Sequence, residues 1–138
     1  MLGELIMEEK EETWKFYSAS IEALNEKIFE VEKNYATSLN TVMNLKEKLT
    51  VLNEYVEVKE GEYYVDVQQA TDDLGKPLYK NEELRKIEVK DRLRGVPQYQ
   101  EVKTTEHEIA TITAKLELTK LQLEILVQEK EYRIRVGK

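Results

Sequence analysis

Residues 76–94 carry seven cations, Lys76, Lys80, Arg85, Lys86, Lys90, Arg92 and Arg94, against four acidic residues, a local net of +3. Tyr79 lies within this block, and Tyr63, Tyr64 and Tyr99 stand close to it along the chain. Cations interleaved with aromatics suit a single-stranded nucleic acid, whose phosphates pair with Lys or Arg while its bases stack on Tyr rings. The local positive charge also keeps a smaller anionic partner in view. The opposing reading is structural: the cations pair with the acidic flank of the first helix, and the tyrosines pack the local turn. Lys76, Tyr79, Lys80, Arg85, Lys86, Lys90, Arg92 and Arg94 are therefore the candidate residues for binding a protein partner or a single strand.

No other stretch has spacing that points to chemistry. Gly75-Lys76 stands without the glycine pattern of a phosphate-cradling loop. His107 is the single histidine and there is no cysteine, so the usual nitrogen and sulfur ligand sets for a transition metal are missing. Asp66, Asp72 and Asp73 do not follow the spacing of a calcium loop. Glu8, Glu9, Glu11 and Glu12 read as the solvated start of a helix, favoured by its dipole. Nothing marks a pair of catalytic carboxylates, and coiled coils rarely form the concave pocket that catalysis uses. The expectation is a non-enzymatic protein with no cofactor and no metal.

The elements that position the basic block are helical. Trp14, Tyr17, Ile21, Leu24, Ile28, Val31, Tyr35, Ser38, Val42, Leu45, Leu49, Leu52 and Val56 recur alternately three and four residues apart, with Ser38 the one polar member. That heptad spacing is the signature of a coiled-coil helix. It predicts one helix over residues 4–60, roughly 80 Å at the standard rise per residue, with these apolar positions as an oligomer seam. A weaker stripe of Phe16, Ala23, Phe29, Ala36, Leu39 and Met43 flanks the seam and suggests a second neighbour.

After Gly61 the pattern alternates in Tyr63, Val65 and Val67, which predicts a strand. Asp72 to Pro77 has turn composition, and Leu78 and Tyr79 complete an expected β-hairpin over 61–80. Asn81 is suited to cap a short basic helix over 81–95, with Gly95 placed to stop it. The last helix, within 96–138, starts at Pro97 or at Thr105. It shows one face of Ile109, Ile112, Leu116, Leu123 and Leu126 and another of Leu118, Leu121, Ile125 and Tyr132. Two apolar faces imply burial among several helices. The basic tail around Arg133 and Arg135 suits a helix C-terminus or a short edge for a partner.

The 138 residues bound this to one domain, 1–138. The expected fold is mainly α: a long antiparallel helical hairpin or coiled coil, with the β-hairpin and short helix at its tip, assembled as a multi-helix oligomer. Over a third of the residues are charged and the net charge is −7, which disfavours wrapping duplex DNA. No run reaches the roughly 18 apolar residues of a membrane span, so the chain reads as cytoplasmic, with no membrane partner, a homo-oligomer and a protein partner as the expected company.

The run Gly75-Lys76-Pro77-Leu78-Tyr79-Lys80-Asn81-Glu82-Glu83-x-Arg85, followed by a basic amphipathic helix and a coiled-coil helix, resembles small coiled-coil proteins encoded by phages and prophages of Gram-positive bacteria. The resemblance covers about 20 residues and the general layout. It implies a viral accessory role, in DNA replication or recombination or against host defence. In layout alone the chain is similar to prefoldin subunits. The functions in view are, in order, an oligomeric adaptor or scaffold binding a partner through its hairpin and basic segment, a single-strand-binding accessory protein, an acidic inhibitor of a host nucleic-acid-binding protein, and a prefoldin-like holdase.

Overall fold

The computed structural model describes residues 20–137 of the 138 in the chain. Three helices make up 86% of them: α1, Ile21–Gln69; α2, Glu82–Leu93; and α3, Pro97–Val136. The mainly helical fold is as expected. Ser20 caps α1, its Oγ accepting from the Ala23 N–H at 3.2 Å. The expected helix start at residue 4, and with it Trp14, Tyr17 and Phe16, lies outside the described residues.

The expected β-hairpin over 61–80 does not form. α1 continues through Gly61 to Gln69, so Tyr63, Val65 and Val67 are helical. A helical glycine costs about 1 kcal/mol relative to alanine. Against that, Val67 becomes 1% exposed, with Val56, Tyr63 and Tyr64 packed around its cluster. Val56, Tyr63 and Val67 lie seven and four residues apart, so the seam simply carries on past the glycine. What remains of a hairpin is one antiparallel bridge between Thr71 and Pro77. The Asp72 carboxylate closes the turn, accepting from the N–H groups of Leu74 and Lys76 at 2.9 Å each. Gly75 supplies the left-handed residue, with φ 77°.

α2 is capped by Asn81, whose side chain accepts from the Leu84 N–H at 2.9 Å. α3 starts at Pro97, the earlier of the two expected positions. The Arg133–Arg135 tail lies within it, and Arg133 Nε is 2.9 Å from Glu129 Oε1.

The chain divides into two compact units. One joins the part of α1 up to Asn40 with α3 from Thr113. Its core is Leu24, Val31 and Leu126, with Ile28 and Leu123 packed on it; Tyr35 and Ser38 are half-buried. The other unit is Thr41–Ile112. In it Val42 and Leu52 are buried, Leu45 and Leu49 half-buried, and Lys48 pairs with Glu101 at 3.3 Å. Its second cluster joins Val67 to Val89 and Leu93 of α2. Seam residues of α1 thus pack on the chain's own α3 and α2.

The secondary stripes behave otherwise. Phe29 is 69% exposed, and Leu39 and Met43 are also open. On α3, Leu118, Leu121, Ile125 and Tyr132 are exposed. Within the chain, among the described residues, only the face of Ile109, Ile112, Leu116, Leu123 and Leu126 is covered. One partner helix can cover one stripe of about a third of a helix surface.

Candidate functional site

The end of α1, the 70–81 turn, α2 and the first turn of α3 come together within the Thr41–Ile112 unit. A helix of 12 residues such as α2 is marginal in isolation, so its attachments decide whether it forms. Val89 and Leu93 anchor it to Val67. At its N-terminus the Tyr64 hydroxyl donates to both Glu82 oxygens, at 2.6 and 2.8 Å. That bond favours the protonated phenol and raises the Tyr64 pKa; burial adds to the shift. The Arg85 guanidinium sits 3.7 Å from the same carboxylate and donates from Nε to the Tyr79 carbonyl at 3.3 Å.

The basic block is split by ion pairs along α2. Arg92 Nε donates to Glu88 at 3.0 Å, a bond that, with Tyr79, raises the arginine further above its ordinary value. Arg94 pairs with Asp91 at 3.7 Å. All three arginines are therefore engaged by acids of α2 itself, three or four residues earlier on the helix. Among the described residues no ion pair joins these cations to the acidic flank of α1. Lys76, Lys80, Lys86 and Lys90 make no ion pair with any described residue.

Two of these lysines define a cleft. Lys86 and Lys90, one turn apart on α2, stand on a depression of about 410 Å³ lined also by Glu60, Tyr64, Val89, Leu93 and Tyr99. That volume lies within the range of ligand sites. Its floor is apolar, since Val89 and Leu93 are 5% and 4% exposed. Lys76 and Lys80 lie on the exposed turn and do not line it.

The tyrosines do not stand out as stacking platforms. Tyr63, Tyr64, Tyr79 and Tyr99 all pack against the Val67, Val89 and Leu93 cluster. Lys103 Nζ lies 5.1 Å from the Tyr99 ring centroid, over its face. Glu60 was not among the expected site residues. Carrying the seam register through Gly61 brings Glu60 and Tyr64, one turn apart, onto the side of α1 that meets α2.

Among the described residues no three His, Cys, Asp or Glu side chains converge as a metal site. No described helix is long and apolar enough to cross a membrane. Comparison with family models, curated proteins and solved structures finds no match to this chain.

Proposed function

We propose that this chain is a non-enzymatic adaptor: an antiparallel helical hairpin with α1 and α3 as its legs, which holds an acidic segment of a partner protein at the α2 end. The observation that carries this reading is the pair of unneutralised lysines, Lys86 and Lys90, beside the apolar floor of Val89 and Leu93. An acidic segment sets carboxylates against the lysines and one apolar side chain on the floor. Such a site discriminates by charge and by a single anchor. A single strand would use the same lysines, but Tyr63, Tyr64, Tyr79 and Tyr99 are half-buried against the Val67, Val89 and Leu93 cluster, which makes them poorer stacking platforms than freely exposed rings. From Leu24 to Val56 the seam positions are buried or half-buried within the chain, so this reading does not rest on a second copy.

The test is fluorescence anisotropy with three probes: a short Glu-rich peptide carrying one Phe, its Gln counterpart, and a short poly-dT strand. The Glu peptide binds, binding weakens with salt, and Lys86→Glu with Lys90→Glu reduces it roughly tenfold or more. Lys76→Glu with Lys80→Glu leaves it nearly unchanged. A preference for the strand, or indifference to the Lys86/Lys90 reversal, overturns the reading.

One observation favours a second reading, a prefoldin-like holdase. Leu74 is 82% and Ile87 61% exposed in the same unit, and Leu78 is open too. Suppression of aggregation of an unfolded client that is lost with Leu74→Ser, Leu78→Ser and Ile87→Ser, but not with the lysine reversal, would favour it.

A further inference from the structure

We infer that the outer face of α3, in the unit that contains Thr113 onward, docks a basic amphipathic helix of another protein. Leu118, Leu121, Ile125 and Tyr132 follow one another three, four and seven residues apart, the spacing of a coiled-coil seam. They are 68%, 55%, 62% and 54% exposed. The opposite face of the same helix, with Leu116, Leu123 and Leu126, is the one packed in the chain. α3 therefore carries two seams, and among the described residues one is covered.

Charge selects the occupant of the other. Glu117, Glu124 and Glu131 run along one flank of the exposed stripe, one per heptad. None takes part in an ion pair among the described residues. Residues at these flanking positions decide partner choice by pairing across the interface. A helix with Lys or Arg at the matching positions satisfies all three. The α3 of a second copy does not. Antiparallel self-pairing sets the glutamate rows against each other, and parallel pairing sets them against Gln122, Glu129 and Val136. On the other flank an antiparallel copy would bring Lys115 toward Glu129, which Arg133 already holds at 2.9 Å. Like charge against like charge is a device that excludes a wrong partner. The inference does not depend on how the lysine cleft is read.

The experiment uses the full chain and two synthetic helical peptides, each with Leu and Ile at heptad core positions. One carries Lys at the flanking positions, the other Glu. Fluorescence anisotropy is expected to show binding of the Lys peptide and binding of the Glu peptide weaker by about tenfold or more. Glu117→Lys with Glu124→Lys and Glu131→Lys reverses that preference. Leu118→Glu with Ile125→Glu abolishes binding, while circular dichroism shows both variants still helical. Absence of binding, or equal binding of the Lys peptide to the wild type and the charge-reversed variant, overturns the inference. So does sedimentation showing a dimer that Leu118→Glu with Ile125→Glu dissociates, which would assign the face to a second copy.

Discussion

Tyr64 and Glu82 hold the start of α2 to α1 through one side-chain contact, the shortest hydrogen bond of the cleft region. Its proton gives it a pH signature. The folded chain keeps the Tyr64 proton more tightly than the unfolded chain, whose tyrosines ionise near pH 10. The stabilisation is therefore fully present below about pH 10 and is lost as the pH rises through the higher folded value. Tyr64→Phe removes the contact. We expect it to lower the urea midpoint at neutral pH and to flatten the alkaline loss of stability; an alkaline slope equal to that of the wild type would show that the contact contributes nothing. The difference between arginines and lysines belongs to the same scale. Glu82, Glu88 and Asp91 each precede an arginine by one helical turn and engage it, which leaves Lys86 and Lys90 to face outward charge.

At the scale of elements, the two glycines that bracket the end of α1 act in opposite ways. Gly61 is helical and an added Cβ would meet nothing within 4 Å. Gly61→Ala should stabilise the chain by about 0.5–1 kcal/mol. Gly75 also has open space, but its φ of 77° is strained for any residue with a Cβ. Gly75→Ala should destabilise by about 1–2 kcal/mol. Denaturant melts of the two variants check both signs. The two faces of the helices make a second comparison. Leu24 is fully buried in the cluster with Val31 and Leu126. Leu24→Ala should cost about 2–5 kcal/mol, whereas Leu118→Ala on the exposed stripe should stay within about 0.5 kcal/mol for the chain alone. A large cost at Leu118 would mean that the stripe is already covered.

Across the whole molecule the charge is divided by sign. The chain is net −7, yet its cleft presents lysines and the outer face of α3 presents glutamates. On the two proposals above, these surfaces would take partners of opposite charge, and each surface lies within a single compact unit. Lys86→Glu with Lys90→Glu should weaken the acidic peptide and leave the basic helix bound as before, with the converse for the Glu117, Glu124 and Glu131 reversal. Titrating both probes against both variants measures this. Loss of both probes in either variant would point to a change in folding instead. Both affinities should fall as salt rises, because exposed charges are screened beyond about 10 Å at 0.1 M.

Heptad spacing alone determined that two long helices form and which positions of α1 are buried, from Leu24 to Val56. Repeating apolar residues at the helical period is a local property and needs no knowledge of the partner. The cap at Asn81 and the start at Pro97 were local in the same sense. The alternation of Tyr63, Val65 and Val67 was ambiguous, because a short apolar run fits a strand or a helix. Burial of Val67 against Val89 and Leu93, far along the chain, resolved it as helix and carried α1 through Gly61. The pairing of the arginines was local as well, since Glu82, Glu88 and Asp91 stand one turn before Arg85, Arg92 and Arg94. The choice between the two apolar faces of α3 followed from packing. Their compositions are alike, and only the surface that α1 presents decided that Leu123 and Leu126 are covered while Leu118 and Ile125 stay open.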